Sequence, residues 1–293
     1  MGLLLQLLAN GVVNGALFAL LAVGFGLVYR TLRIFHISYA GIYVAAAYAL
    51  FTFNNILKIS LPISILLAIA STCIIGYLIE FGIYRPFFKR NASSGVILIA
   101  SLGVFIVIEN LIALLFGNEV KLISTGIEPS YKFAGIILTR IQIIELIAGL
   151  LLIVAFYLLV SKTKFFKMIW AMGDEPHLIP VMGLPLYFLR STVIIISSFF
   201  SASASILSAI DVGMDPHMGM TAFLTATVAV IVGGTDRYWG WILGAFVLSI
   251  AESLAVWKMS ARWVDLIAFS LLILILLTRP QGLLGTRKRL EET

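Results

Sequence analysis

Ionisable residues are scarce in this sequence, so each one inside an apolar run is a candidate for chemistry. Glu80, Glu109 and Glu252 lie within or at the ends of such runs, and Asn110 follows Glu109 directly. A charged side chain at the centre of a bilayer costs about 2.5–3.5 kcal/mol on insertion scales, so it ordinarily faces the bundle interior and has a partner. Glu80 has a basic neighbour close by in Arg85, with which it can pair. Three such carboxylates could also form a proton or ion relay in a self-sufficient carrier or channel. His36 stands beside Ser38 and Tyr39 in a short polar interruption. An imidazole there either bonds backbone at a helix end or lines a solute path. Asp211, Asp215 and His217 form a second polar group. Their side chains are metal-ligand types, but Asp-Pro more often starts a turn or caps a helix, and no metal is expected. The one cysteine, Cys73, lies in an apolar run, which excludes a disulfide framework or a CxxC site. No Walker, GxSxG, HExxH or GxGxxG motif is present, so no cofactor is expected and any ATP must be hydrolysed by another subunit.

One interval is built differently. Ser161–Arg190, SKTKFFKMIWAMGDEPHLIPVMGLPLYFLR, is the longest stretch between strongly apolar runs. It opens with Lys162, Lys164 and Lys167, turns at Gly173, carries Asp174–Glu175, and closes a short apolar segment at Gly183. A protein that only passes a solute has no need of such a loop. One driven by a soluble motor does, because force must cross the membrane surface through a short, partly apolar knob. The plainer alternative is a cytoplasmic loop whose lysines set orientation. Trp170 is a candidate anchor, since buried Trp side chains are frequent interface hot spots. Pro180 would cost a helix interior about 3 kcal/mol, whereas Pro176 is tolerated in a first turn. The segment is therefore expected to start late or to form two short turns.

The elements that must position these residues are membrane helices. Of 293 residues, 61% are hydrophobic and 12% charged, against about 45–50% and 25% in a soluble domain. Apolar runs near 3–29, 39–54, 61–83, 95–117, 141–160, 188–210, 221–234, 240–257 and 263–278 lack the alternation of a barrel, so helices are the spanning structure. The expected fold is an all-α polytopic bundle of 8–10 segments, one domain over 1–293, with broken or re-entrant helices. The breaks fall at 30–41 and 211–220, beside small residues (Ser38, Ala40, Gly41; Gly219, Thr221, Ala222) that allow close helix approach. No basic n-region precedes the N-terminal run, which reads as the start of the first helix rather than a signal peptide. Six of the 20 Lys and Arg residues (Lys58, Lys121, Lys132, Arg140, Lys258, Arg262) fall in one set of alternate gaps and fourteen in the other. The larger set marks the cytoplasmic side, which puts the loop 161–190 and the C-terminus inside. The net charge of +6 is thereby explained by topology, and nucleic acid is not expected as a partner. Tyr238, Trp239, Trp241, Trp257 and Trp263 read as an interfacial belt.

An ordered series of short motifs runs through nearly the whole chain: IEFGIYRP (79–86), VILIASLGVFIVIEN (96–110), AMGDEP with VMG, DPHMG (215–219), VGG (232–234), AESL (251–254) and RPQGLLG (279–285). In this order they resemble the permease of branched-chain amino acid ABC importers, a family that includes urea and amide transporters. The resemblance implies a bacterial inner-membrane permease that moves a small polar solute inward. It also implies a homologous second permease, two ATP-binding cassette subunits and a periplasmic solute-binding protein. On that likeness Met172, Gly173, Asp174, Glu175 and Gly183 belong to an ATPase-coupling segment, to which Trp170 is added as the candidate anchor. His36, Ser38, Tyr39, Glu109, Asn110, Asp215, Thr221 and Thr225 belong to the translocation pathway. Three places depart from the family pattern. His36–Gly41 stands where NFAHGE is common, Thr225 where a lysine is frequent, and Thr235–Trp241 where a small GIGSxxGA turn is usual. These departures leave the substrate open.

Overall fold

A computed structural model describes residues 2–123, 129–133, 135–174, 176, 178–258, 260 and 263–285. Glu175 and the basic tail 287–293 lie outside the described residues. Among the described residues, six helices are long and apolar enough to cross a membrane. They are α1 (Gly2–Leu32), α3 (Leu61–Ile79) with its continuation α4 (Arg85–Lys89), α5 (Ser94–Phe116), α6 (Arg140–Lys162), α9 (Leu186–Asp211) and α11 (Tyr238–Ala255). Shorter apolar helices are α2 (Ser38–Phe51), which runs on as a π-turn over Thr52–Ile56, α10 (Met218–Gly233) and α12 (Val264–Thr278). The expected nine runs are all helical. Outside those runs the described residues also form an antiparallel hairpin, β1 (Ser130–Phe133) with β2 (Ile136–Thr139). The side chain of Gln6 in α1 exchanges hydrogen bonds with the backbone of Ile137.

The bundle is organised around α1, which packs against α6, α9, α10 and α11 and is almost wholly buried from Val13 to Val28. A helix apolar on every face suits such a place, and glycines let its neighbours close in. A Cβ on Gly26 would lie 2.6 Å from the Trp241 ring, and one on Gly15 2.5 Å from Phe246. Trp241 is accordingly fully buried, which corrects its assignment to the interfacial belt. Trp239, Trp257 and Trp263 are half-exposed at helix ends, as a belt requires.

The separated motifs VGG and RPQGLLG meet. Leu283 and Leu284 donate their backbone N–H groups to the carbonyls of Val232 (2.8 Å) and Gly233 (3.0 Å). These are among the last carbonyls of α10, which have no partner within the helix. Gly234 and Gly282 both take positive φ (104° and 79°), and a Cβ on Gly282 would meet Gly234 at 2.5 Å. The C-terminal motif is a backbone cap on α10. Basic residues gather at one end of the bundle: Arg30 and Arg33 reach the segment after α6, and Arg85 stacks on Tyr187 at 4.4 Å. At the opposite end the backbone of Lys121 pairs with that of Met214. The named members of the two sets in the gap count are thus at separate ends.

Where α10 and α11 cross, a Cβ on Gly244 would lie 2.1 Å from the carbonyl oxygen of Ala229, and backbone cannot move aside as a side chain can. Gly244→Val is expected to cost about 1–3 kcal/mol or more. Gly103→Val, on an exposed face with nothing near its Cβ, should cost little. Thermal unfolding of both purified variants in detergent compares the two; equal melting points would refute the crossing.

Candidate functional site

Two assemblies at the basic end carry many of the residues singled out by sequence. The first seats the segment between α6 and α9. It forms α7 (Lys164–Asp174) and, after Pro176, the single turn α8 (Leu178–Val181). The 11-residue helix before Pro176 departs from the expected late start or two short turns. The described helix ends at Asp174, ahead of Pro176, whose ring and missing N–H do not suit a helix interior, and Pro180 is accommodated in one isolated turn.

α7 is amphipathic, and its apolar face lies on the end of α1. Phe166, Ile169 and Met172 are buried. Gly173 sits so close that a Cβ would lie 2.7 Å from the carbonyl oxygen of Arg30. Arg33, whose φ of 54° is left-handed, donates from Nε and Nη2 to the Gly173 carbonyl at 3.3 Å. A guanidinium on a terminal carbonyl suits the negative end of the helix. Arg30 donates to Asp174, and its guanidinium lies 5.8 Å from the Trp170 ring centre. Trp170 in turn packs on Trp241, ring centres 5.9 Å apart. So Trp170, Met172 and Gly173 face inward, against their own chain. Asp174 and Gly183 remain exposed, together with Val181 and Met182, which are 82% and 70% exposed. Sequence reasoning overlooked the last two; the signal available was a pair of apolar residues between Pro180 and a glycine that takes positive φ (72°).

The second assembly is a buried polar knot where the chain turns from α1 into α2. Tyr84 Oη lies 2.7 Å from His36 Nδ1, 2.6 Å from Ser38 Oγ and 2.7 Å from Ser101 Oγ. The Ser38 backbone N–H donates to Ser101 Oγ at 2.8 Å. His36 lies in the connection between helices, and burial lowers its pKa to about 3, so the ring is neutral. Its Nε2 has no partner among the described residues. Tyr39 Oη donates to the Leu21 carbonyl at 3.0 Å, tying the start of α2 to α1. All four side chains near this turn, His36, Ser38, Tyr39 and Tyr84, are fully buried.

The two broken patches meet directly. A Cβ on Gly219, in the first turn of α10, would lie 2.4 Å from the carbonyl oxygen of Ala40, and Phe223 packs edge-on against both Phe25 and Phe35. On its other side α10 presents polar groups at the surface. His217 Nδ1 lies 2.7 Å from Glu109 Oε1, the Thr225 hydroxyl donates to the Thr221 carbonyl at 2.9 Å, and the Asn110 amide donates to the Ile106 carbonyl at 2.8 Å. Asp215 Oδ1 accepts from the His217 backbone N–H at 2.9 Å, a turn-forming role rather than a ligand's. Among the described residues no cluster of His, Cys, Asp and Glu could hold a metal. The structure therefore sorts the expected pathway residues into a buried set (His36, Ser38, Tyr39) and a set toward the surface, in which Asn110 and Thr221 are exposed and Glu109, Asp215 and Thr225 are half-buried. Glu80 departs from its expected partner: its Oε1 accepts from Arg190 Nε at 3.0 Å, not from Arg85.

A polytopic helical bundle with an amphipathic segment clasped to one end, and polar groups on a face beside α10, defines an integral membrane protein of the solute-permease kind. The chain belongs to the family described as branched-chain amino acid transport system, permease component, which matches residues 7–276. It is similar to the high-affinity branched-chain amino acid transport system permease protein BraD of Pseudomonas aeruginosa, 27% identical over 295 residues, covering 96% of this chain and 95% of that one. It is also similar to the corresponding permease LivH of Escherichia coli K12, 27% identical over 296 residues with the same coverage. Among solved structures its fold resembles PsaBC from Streptococcus pneumoniae in complex with Fab, with a TM-score of 0.52 and 13% identity over 93% of this chain and 91% of that one.

The seat of α7 separates two kinds of contact. The Arg30–Asp174 pair is largely open to solvent on the aspartate side, so Asp174→Asn should cost no more than about 1 kcal/mol. Gly173→Val must push α7 off α1. Limited proteolysis of the segment 161–190 is expected to be unchanged in the first variant and markedly faster in the second; equal rates would disprove the seat.

Proposed function

We propose that the chain is the permease subunit of an ATP-driven importer in a bacterial inner membrane, moving a branched-chain amino acid or similar small polar solute inward. The observation that carries the reading is the polar stripe of Glu109, Asn110, His217, Thr221 and Thr225 on an otherwise apolar surface. Polar and ionisable groups at membrane depth face a bundle interior or a water-filled cavity. A stripe on the outside of one subunit becomes an interior when a second, homologous permease covers it, and the space between is a solute path. Asp215 and the hairpin lie at the end where a periplasmic binding protein would deliver solute.

At the other end two ATPase subunits would hydrolyse the ATP, with no cofactor on this chain. The exposed Val181–Gly183 knob, beside Asp174, would fit an apolar groove on an ATPase. Trp170, Met172 and Gly173 act behind it, holding α7 to α1. Coupling then works by rigid-body displacement of the 161–190 segment, which alternately opens the His36–Gly41 and Asp215–Thr225 junction to either side.

The test is co-purification and uptake. Wild type should bring down an ATPase and a second permease and support ATP-dependent uptake. Val181→Asp with Met182→Arg should lose the ATPase, keep the second permease, and reduce uptake to background. Thr221→Trp should keep both partners and block uptake. A wild-type protein that purifies alone and still moves solute without ATP would overturn the reading.

A further inference from the structure

Between the coupling segment and the buried knot lies an irregularity that neither assembly explains. The helix from Leu61 to Lys89 is not α-helical throughout. Residues Glu80–Tyr84 form a π-turn, with the Arg85 N–H donating to the Glu80 carbonyl. Pro86 follows immediately. A proline lacks the N–H that would complete the α ladder, and its ring crowds the carbonyl four residues back. A π-turn takes up that strain, and such bulges recur at functional sites.

The two ends of this turn face different partners. Glu80 opens it and is bonded to Arg190, both side chains being essentially buried. Arg190 lies in the second turn of α9, the helix in whose first turns the 161–190 segment ends. The first turns of α9 grip the far side of the π-turn as well. The Arg190 guanidinium lies 4.2 Å from the Phe88 ring, and that of Arg85 lies 4.4 Å from Tyr187. Tyr84 closes the turn, and its hydroxyl is the hub of the knot with His36, Ser38 and Ser101. Ser38 begins α2, and two residues on, Ala40 abuts Gly219 at the mouth of α10.

We propose that the π-turn Glu80–Tyr84 is the positioning element that carries displacement of the coupling segment to the junction of α2 and α10. Glu80 takes up the motion from Arg190, and Tyr84 delivers it to Ser38 and His36. This rests on the reading of 161–190 as the coupling segment. Two features make the turn able to move between discrete arrangements. A π-turn can shift along a helix by exchanging its hydrogen bonds one at a time, and a shift rotates Tyr84 relative to Glu80. The ion pair is single-pronged, Glu80 Oε2 and Arg190 Nη2 having no hydrogen-bond partner among the described residues, so a second bonded arrangement between them is available. Packed interiors convert small displacements into such discrete steps rather than deforming continuously.

The experiment uses the complete transporter, with both permeases, the ATPases and the binding protein, in proteoliposomes. Solute uptake and ATP hydrolysis are measured together, with subunit composition and melting temperature as controls. Tyr84→Phe keeps the ring and removes only the hub hydroxyl. It should leave assembly intact and ATP hydrolysis within about twofold of wild type, while solute moved per ATP falls by about tenfold, the scale of a lost hydrogen bond between buried groups. Should Tyr84→Phe fail to assemble, the paired variant Glu80→Gln with Arg190→Gln, which keeps an amide contact without buried charge, is expected to show the same loss of coupling. Uptake and hydrolysis that fall in parallel, or that both stay at wild-type levels, would overturn the proposal. The Val181→Asp, Met182→Arg variant separates the two readings. If it keeps its ATPase and its uptake, the coupling reading fails; if it loses the ATPase while Tyr84→Phe transports normally, only the relay fails.

Discussion

The structure depends on a membrane helix that scarcely meets the membrane. α1 is enclosed by α6, α9, α10 and α11, so each of these must bring its own surface close to one axis. Lipid tails are as apolar as any side chain, so close packing rather than the hydrophobic effect holds membrane helices together. That is why the tightest approaches to α1 run through Gly15, Gly24 and Gly26. Once α1 is fixed, its end fixes the rest of the basic face. Its last turn presents the Arg30 carbonyl to Gly173, and the chain beyond Arg33 turns back into the bundle as the buried knot.

Irregular backbone in such a protein needs partners inside the protein, because hydrocarbon supplies none. Each break is met by a specific device. The turn from α1 to α2 is held by the Tyr84 hydroxyl and Ser101. The end of α10 is capped by Leu283 and Leu284 from the far end of the chain. The end of α7 is capped by Arg33. Pro86 is absorbed by a π-turn. The first three of these devices join segments remote in sequence, so those breaks cannot change without disturbing a second element.

Much of this was legible in the sequence. Nine apolar runs gave the helices, and the alternate-gap charge count separated residues that the fold places at opposite ends. The small residues at 38–41 and 219–222 marked helices that do pack on each other. What could not be read is the direction in which side chains point. Periodicity is silent in a chain that is apolar on most faces, so Trp241 could not be told from Trp239, nor buried Met172 from exposed Met182. The partner of Glu80 was likewise hidden. Arg85 is near in sequence, but the π-turn and the antiparallel course of α9 bring Arg190, over a hundred residues away, to the carboxylate instead.

The departures from the family pattern acquire different meanings once they are placed. His36–Gly41 is buried in the knot and against Gly219, where a substituted side chain alters how α2 meets α10 before it alters any solute contact. Thr235–Trp241 supports α7, with the Trp241 indole donating to the Thr235 carbonyl at 3.3 Å while its ring fills the space left by Gly26. Only Thr225 lies on the polar stripe. A lysine there would place a cation at membrane depth. A threonine places a hydroxyl already engaged with the Thr221 carbonyl, which satisfies it locally at little cost. Under the permease reading, the ionisable groups left on this half of the path are the Glu109–His217 pair and Asp215. On the function proposed above, selectivity between solutes would rest on that pair, on Asp215, on the hydroxyls, and on what a second permease would set opposite them.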